Sequence, residues 1–299
     1  MAETNLISKR VQGLHLLAKQ KVSSFLSGNR RSLFLGNGTE FSDLREYQTG
    51  DELRHIDWRA TAKRYNSLIV RDFEVERNSN VVMLLDASAS MLLGDKYPRI
   101  RNAIIAIASL AHATVTNKDF FGFGAFSDKI SLYLPPKGGK LQEFLVYKQL
   151  LELIPSGTTD LGTSLKQIAT SLKRRSIILV LTDLHDNTEE MIRGFKIAKG
   201  FNHEVQVIQI TEKGEFTLPA NIGKVKFTHP EKGSQVVADF SDPVVSGIYN
   251  YEISKKIREI NSFKRKLRGL KVKLVESYTH ELAEKALLSY FSLKQRGYK

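Results

Sequence analysis

Three oxygen-bearing side chains at alternating positions, Asp86, Ser88 and Ser90, directly follow the apolar run 81–85. Five apolar residues in a row are typical of a strand buried on both faces of a parallel sheet, and alternate side chains of an extended segment point to one side. Carboxylate and hydroxyl oxygens are hard donors that suit Mg²⁺, Mn²⁺ or Ca²⁺ better than zinc. The segment therefore predicts a cation site, against the plainer alternatives of a strand-end cap for Asp86 and a turn for the serines.

Two further segments carry the same kind of chemistry. The apolar run 177–181 ends on Thr182 and Asp183, and parallel neighbours would bring Asp86 and Asp183 together at one edge of the sheet. Between them the loop 156–160 precedes a predicted helix. Thr159 is the candidate ligand there, with Thr158 as its alternative, although Thr159 or Asp160 would also serve as a helix N-cap.

The elements that must position these residues follow from the hydrophobic pattern. From residue 79 onward short apolar runs alternate with helical stretches, which predicts an α/β fold with a doubly wound, mostly parallel sheet flanked by helices. Residues 1–78 form a separate segment with a leading helix over 6–25 followed by a loop-rich part, and residues 79–299 form the α/β domain. Predicted strands are 81–85, 120–126, 129–134, 177–181, 205–210 and 272–275, with a small hairpin from 224–228 and 235–240. Predicted helices are 99–116, 141–154, 161–172, 189–199, 251–267 and 281–295.

Two local patterns refine this prediction. Residues 120–126 and 129–134, joined by Ser127 and Asp128, are expected to form an edge hairpin that Pro135 and Pro136 stop. Helix 251–267 is basic: residues 250–299 hold 13 basic and 5 acidic residues, which accounts for +8 of the net +13 charge. A solvated helix face is the favoured interpretation of this run, and nucleic-acid binding is the alternative, although few aromatic residues are interleaved for base stacking.

Composition argues against several classes of protein. The 299 residues are 41% hydrophobic and 26% charged, which is ordinary for a globular protein, and no window has the 18 apolar residues of a membrane span. The amino terminus lacks a signal-peptide core, so we expect a cytoplasmic protein. The absence of cysteine excludes disulfides and thiolate sites, and the seven histidines have no close pair spacing, which argues against structural zinc.

Taken together, the three polar segments resemble the metal-ion-dependent adhesion site of the von Willebrand factor A-type domain. Its pattern is D-x-S-x-S, then a threonine loop, then a strand ending in T-D, matched here by Asp86, Ser88, Ser90, Thr159 and Asp183. The resemblance implies a Rossmann-type topology and a Mg²⁺ ion held by hydroxyls and water, with the carboxylates acting partly through water. It also implies an open coordination position that accepts an acidic residue of a protein partner, and no enzymatic activity.

A second resemblance covers the preceding segment, residues 40–77. The runs 40–51 (EFSDLREYQTGD), 54–63 (RHIDWRATAK) and 68–77 (LIVRDFEVER) resemble the signature of the bacterial family called domain of unknown function 58, in which an A-type domain follows. Members often begin with two membrane helices, and no window of residues 1–299 predicts one, so we do not expect membrane attachment here. They are commonly found alongside MoxR-type AAA ATPases, which implies an adaptor or chaperone-like role with such a motor.

The charged residues of that segment have two interpretations. A charge network that stiffens the segment, with Trp58 packed beneath it, is favoured over a docking face for a partner. The residues in question are Arg45, Glu46, Asp51, Arg54, Asp57, Arg59 and Arg71.

A metal-dependent hydrolase of phosphate esters is the main alternative function, with Asp86 and Asp183 as its carboxylates. Two-metal hydrolysis needs more carboxylates near the site than these segments supply. The sequence has no G-x-x-x-x-G-K-[ST] motif, which argues against a phosphate-binding loop. Gly122 and Gly124 lie within a strand pattern without the third glycine and the helix that a dinucleotide fingerprint requires.

Overall fold

The computed structural model describes most of the chain in eleven stretches. These are residues 2–27, 39–49, 51, 53, 56–63, 67–75, 78–93, 98–184, 188–211, 223–228 and 234–297. The described helices are α1 (Ala2–Ser27), α2 (Trp58–Lys63), α3 (Pro98–Thr116), α4 (Lys140–Glu152), α5 (Leu161–Ser171), α6 (Thr188–Gly200), α7 (Pro243–Gly269) and α8 (Leu282–Gly297). The described strands are β1 (Thr39–Glu46), β2 (Ile69–Val75), β3 (Asn80–Asp86), β4 (Phe120–Phe126), β5 (Ile130–Lys137), β6 (Ser176–Thr182), β7 (Glu204–Thr211), β8 (Lys224–Thr228), β9 (Gln235–Asp239) and β10 (Lys273–Tyr278).

A six-stranded sheet in the order β10-β7-β6-β3-β4-β5 forms the centre of the α/β unit. All its neighbours are parallel except the edge pair β4 and β5, which confirms the predicted α/β class. The apolar runs of β3 and β6 are buried because both strands lie inside the sheet. The chain order reverses between β3 and β6, and the carboxyl ends at such a switch point form the crevice where α/β folds bind ligands.

The edge strand β5 differs from its prediction. It continues through Pro135 and Pro136 to Lys137, so the expectation that the prolines stop the hairpin is wrong. An edge strand tolerates proline because one side of it has no neighbour to which an N–H must donate. Gly122 on β4 makes room for the ring, since a Cβ there would lie 3.0 Å from Pro136 atoms.

Helix α7 is longer than the basic run alone indicated. It begins eight residues earlier, where the Asp242 side chain accepts the Val244 N–H and Pro243 occupies the first turn, a favourable combination at a helix start. Phe263 and Leu267 bury its carboxyl-terminal part against the core. The predicted small hairpin is confirmed, since β8 and β9 pair antiparallel outside the main sheet.

Contacts divide the chain into two units, residues 1–25 with 79–299, and residues 26–78. The leading helix α1 thus groups with the α/β unit, whereas the sequence pattern had grouped it with the segment that follows. The reason is an apolar stripe of buried residues, from Val11 and Leu14 to Phe25, and the Phe25 ring stacks on Phe291 of α8 at 5.9 Å. Hydrophobic burial against this unit outweighs closeness in sequence.

The second unit contains the antiparallel pair β1 and β2 and the short helix α2. Arg45 forms a bidentate ion pair with Asp51 at 2.7 and 2.8 Å, as one part of the predicted charge network. The Asp57 carboxylate caps α2 by accepting the N–H groups of Arg59 and Ala60. The placement of Trp58 beneath the network is wrong, because α2 has no buried residue and Trp58 is 67% exposed. Arg54 and the side chain of Arg71 lie outside the described residues.

Helices α5 and α6 cross at Gly162 and Gly194, so we expect Gly162→Ala to destabilise the protein by about 1–3 kcal/mol or more, as overpacking does. A Cβ at Gly162 would lie 2.4 Å from the Glu190 carbonyl oxygen, and one at Gly194 would lie 2.6 Å from the Gly162 carbonyl oxygen, both backbone atoms that cannot rotate away. Urea unfolding measures the effect. Gly13→Ala in α1 is the control: it meets nothing within 4 Å and should stabilise the helix by about 0.5–1 kcal/mol. Equal effects of the two substitutions would contradict the close crossing.

A buried histidine makes stability depend on pH. His203 Nδ1 accepts the Ser176 N–H at 3.2 Å and Nε2–H donates to the Ala169 carbonyl at 3.0 Å, which requires the neutral ring. Burial lowers the pKa of His203 below its usual value of 6.5, so the unfolded chain binds the proton more tightly than the folded protein does. The contribution of the neutral ring to the free energy of unfolding is therefore complete above pH 6.5 and is lost as the pH falls below that value. We expect the stability difference between the wild type and His203→Gln to shrink from pH 7.5 to pH 5 in urea unfolding. Parallel pH curves for the two proteins would exclude this linkage.

Candidate metal centre

Asp86 is the last residue of β3, and its carboxylate is fully buried. One oxygen, Oδ1, accepts the backbone N–H of Ser88 at 3.0 Å, and the other, Oδ2, accepts the hydroxyl of Thr182 at 2.7 Å. The Thr182 hydroxyl also accepts the N–H of Leu184, a residue with φ of 62° at the turn after β6. These bonds fix the orientation of the carboxylate at the carboxyl edge of the sheet.

Ser88 and Ser90 lie immediately beyond the strand, at the start of a 3₁₀ turn over Ala89–Leu92. Both are buried, and their hydroxyl oxygens are 2.9 Å apart. The Ser88 side chain hydrogen-bonds the Asp86 carboxyl, and the 3₁₀ turn holds the Ser90 hydroxyl against that of Ser88, so two neutral oxygens lie beside the carboxylate.

The loop 156–160 is tied to this segment through its backbone. The Ser156 N–H donates to the Ala87 carbonyl at 2.8 Å, and the Ala89 N–H donates to the Gly157 carbonyl at 3.1 Å. Gly157 has φ of 78°, a conformation that favours glycine, so the loop can turn back beside β3.

This loop brings Thr159, rather than Thr158, to the cluster. The Thr159 hydroxyl lies 3.5 Å from Asp86 Oδ1, whereas Thr158 is exposed. The N-cap of α5 is Asp160, whose side chain accepts the Thr163 N–H at 2.9 Å. The two neighbours therefore divide the roles that the sequence left open, with Asp160 capping the helix and Thr159 facing Asp86.

Asp183 follows β6 and is 3% exposed, and its Oδ2 accepts a hydrogen bond from Arg99 Nη1 at 2.9 Å. Arg99 is also 3% exposed and lies in the first turn of α3. Sequence reasoning missed this residue and the role of Thr182. A signal did exist for the arginine, because a cation in the first turn opposes the helix dipole and needs a reason to be there.

The electrostatics of the cluster favour a bound cation. Burial first, and then the charge of Asp183, raise the pKa of the Asp86 carboxyl from 3.8 to about 7, although hydrogen bonds from Ser88 and Thr182 act against the rise. The Arg99 guanidinium pairs with Asp183 and offsets its negative charge. The donors that the structure brings together here are oxygens, from two carboxyl groups and three hydroxyls: Asp86, Asp183, Ser88, Ser90 and Thr159. This set fits Mg²⁺, a hard cation that prefers oxygen ligands, and it fits Mn²⁺ or Ca²⁺ by the same chemistry.

Comparison with known proteins places the chain in a family. Residues 43–256 match the model of the family described as "Protein of unknown function DUF58". An uncharacterized protein of Mycobacterium bovis is 26% identical over 246 residues, which cover 80% of this chain and 75% of that protein.

Two solved structures are similar to the α/β fold at low identity. BatB from Bacteroides thetaiotaomicron is 19% identical with a TM-score of 0.47, and the match covers 73% of this chain and all of that one. The von Willebrand factor A domain of Rpn10 is 14% identical with a TM-score of 0.40, over 71% of this chain and 94% of that one. The mostly parallel six-stranded sheet with its antiparallel edge strand is the α/β architecture that the sequence predicted.

Among the helices of the described residues, none combines the length and the apolar character needed to cross a bilayer.

Proposed function

The chain belongs to the DUF58 family of proteins of unknown function, and from the geometry of its site we propose that it is a non-enzymatic, Mg²⁺-dependent protein-interaction module. The observation that carries this proposal is the meeting of Asp86, Ser88, Ser90, Thr159 and Asp183 at the carboxyl edge of the sheet. The partner group is an acidic side chain. A bound Mg²⁺ would supply positive charge and a coordination position for a foreign carboxylate.

The residues of the chain have separate tasks in this proposal. Ser88, Ser90 and Thr159 offer neutral oxygens, which leave a divalent ion more electropositive than a set of carboxylates would. Thr182 and the Ser88 backbone hold Asp86 in one orientation, so it does not have to reorganise when a cation arrives. Arg99 neutralises Asp183 and thereby limits the negative charge that would repel an acidic partner.

The same arrangement supports binding rather than hydrolysis. Asp183 is engaged by a buried arginine, and both oxygens of Asp86 accept hydrogen bonds from Ser88 and Thr182. A two-metal hydrolytic site needs several shared carboxylates, and one of the two carboxylates brought together here is already paired with an arginine. We therefore propose adhesion to a partner as the function of this site and not phosphate-ester hydrolysis.

The basic helix is best explained by the fold. Lys264 pairs with Glu276 of β10, and Lys266 and Arg268 lie in the last turn of α7, where cations complement the helix dipole. These roles favour a solvated structural helix over a nucleic-acid contact. Binding of a random oligonucleotide that falls steeply with log salt concentration would restore the nucleic-acid alternative.

We further propose that the partner includes a MoxR-type AAA ATPase, with this chain as its adaptor or chaperone-like companion. The support is the resemblance of residues 40–77 to a family commonly found beside such ATPases. An adaptor must bind a client or the ATPase without altering it chemically. A site that binds a carboxylate reversibly meets this requirement.

Ser88→Ala tests the proposal by removing one neutral oxygen of the site without changing its charge. We expect it to weaken Mg²⁺ binding about 10-fold or more, measured by isothermal titration, and to reduce capture of a purified MoxR-type ATPase to the level seen with EDTA. Ser109→Ala is the matched control, because it also removes a buried hydroxyl, one that donates to the Ile105 carbonyl within α3. Unchanged Mg²⁺ affinity in Ser88→Ala, or equal loss in the control, would refute the site.

A further inference from the structure

A second group of potential metal ligands lies away from the carboxyl edge of the sheet, where three helices of the α/β unit meet. His15 comes from α1, His112 from α3 and Glu143 from α4. The Nδ1 atoms of His112 and His15 lie 2.9 and 3.3 Å from the same oxygen, Glu143 Oε1. The two imidazole rings are 5.2 Å apart and nearly perpendicular, at 87°.

These distances match the spacing of ligands around one small cation. The three ligand atoms all lie within 4.8 Å of one another. In a tetrahedral site with bonds of about 2.0–2.1 Å, neighbouring ligand atoms are about 3.4 Å apart. Only small side-chain shifts separate the observed positions from that geometry.

Glu143 is held for this task by Tyr147, one helical turn further along α4. The Tyr147 hydroxyl donates to Glu143 Oε1 at 2.7 Å, and both residues are buried. This hydrogen bond fixes the direction of the Glu143 carboxylate, as the hydrogen-bond partners of metal ligands do.

Hydrogen bonds alone do not explain why three side chains approach the same oxygen, Glu143 Oε1. A carboxylate oxygen has two lone pairs, and Tyr147 and His112 already approach those of Glu143 Oε1. His15 Nδ1 is a third group aimed at the same point. The His15 side chain is 42% exposed and that of Glu143 only 8%, so the cluster opens to solvent at one side and is closed at its base.

We propose that His15, His112 and Glu143 form a second metal site, for a divalent transition ion of the Zn²⁺ class, with a fourth position open to water. Two imidazoles and one carboxylate suit Zn²⁺, Co²⁺ or Ni²⁺, whereas the all-oxygen site at Asp86 suits Mg²⁺. The ion fastens α1 to α3 and α4. The spacing of the histidines gave no sign of this site because its ligands are 97 and 31 residues apart and meet only through helix packing.

The test uses the full chain after EDTA treatment and dialysis, with Co²⁺ alone as the probe. We expect one equivalent of Co²⁺ to give visible absorption bands, Zn²⁺ to displace it, and Zn²⁺ to raise the melting temperature. His15→Ala should weaken Co²⁺ binding by at least about 100-fold, since even partners that only orient ligands contribute about 10–100-fold. Glu143→Gln keeps the shape of the side chain and should cause a similar loss.

Two matched variants decide which site is measured. His280→Ala removes an exposed histidine outside the cluster and should leave the Co²⁺ spectrum unchanged. Asp86→Asn disables the oxygen site and should also leave it unchanged. Absence of Co²⁺ bands in the wild type, bands that persist in His15→Ala and Glu143→Gln, or bands that vanish in Asp86→Asn would each overturn the proposal. Circular dichroism confirms that each variant is folded.

Discussion

Replacing Asp86 by asparagine is expected to abolish Mg²⁺ binding and, at the same time, to make the metal-free protein more stable at pH 8. The two effects have one cause. Asp86 is buried next to Asp183, and both burial and the neighbouring charge disfavour its ionised form. A carboxylate kept there in spite of this cost is typical of a functional site, where stability is given up for binding.

Asparagine can replace the carboxylate without losing the local bonds. Its oxygen can accept the Ser88 N–H, and its amide can donate to the Thr182 hydroxyl, which rotates to suit. Each pKa unit by which the fold disfavours the charged form corresponds to about 1.4 kcal/mol, and each kcal/mol shifts the melting temperature of a domain of this size by about 2–4 °C. We therefore expect a rise of several degrees in EDTA. Addition of Mg²⁺ should raise the melting temperature of the wild type only.

Asp119 provides the control. It is equally buried, but its carboxylate accepts hydrogen bonds from Tyr290 and the Ser79 N–H and pairs with Lys294 at 3.0 Å. Asp119→Asn should destabilise the protein, because it leaves the Lys294 ammonium, whose side chain is only 12% exposed, with a weaker partner. If Asp86→Asn also destabilises the metal-free protein, the carboxylate has a structural role and the metal proposal loses its main support.

Replacing Arg99 by methionine is expected to destabilise the metal-free protein by about 3–5 kcal/mol, the usual cost of breaking a buried ion pair from one side. Arg99 and Asp183 are both 3% exposed and are joined by a 2.9 Å hydrogen bond. Without the guanidinium, two buried carboxylates face each other with no compensating charge from this residue. Urea unfolding in EDTA measures the loss.

The same variant reports on the metal site. Arg99→Met removes the positive charge beside Asp183, and a divalent cation would replace it. Mg²⁺ should therefore stabilise this variant more than the wild type. The double variant Arg99→Met with Asp183→Asn removes both charges and should recover much of the stability in EDTA. Together with the single variant Asp183→Asn, it gives the coupling energy between the two residues. A Mg²⁺ effect equal to that of the wild type would show that the arginine and the cation site are independent.

The folding pattern was accessible from the sequence wherever local chemistry decides the outcome. The apolar runs 81–85 and 177–181 predicted buried parallel strands, and β3 and β6 extend them by one residue at each end. The ends of helices were harder to predict than their existence, because capping residues decide where a helix starts. Helix α7 begins at Pro243, after the cap Asp242, eight residues before its predicted start. The prolines of β5 were misjudged because their tolerance depends on the edge position of the strand, a property of the sheet and not of the residue.

For the candidate site, the sequence by itself determined which residues carry oxygen donors and that Asp86 and Asp183 lie at the carboxyl ends of apolar strands, because strand periodicity is a local property. The sheet decided that these two strands, β3 and β6, are neighbours. Only the tertiary structure decided that Thr159 faces Asp86 while Asp160 caps α5, that Arg99 pairs with Asp183, and that α1 groups with the α/β unit. It also decided the meeting of His15, His112 and Glu143. Each of these depends on contacts between residues far apart in the chain, which are set by the burial of apolar surface and leave no periodic trace in the sequence.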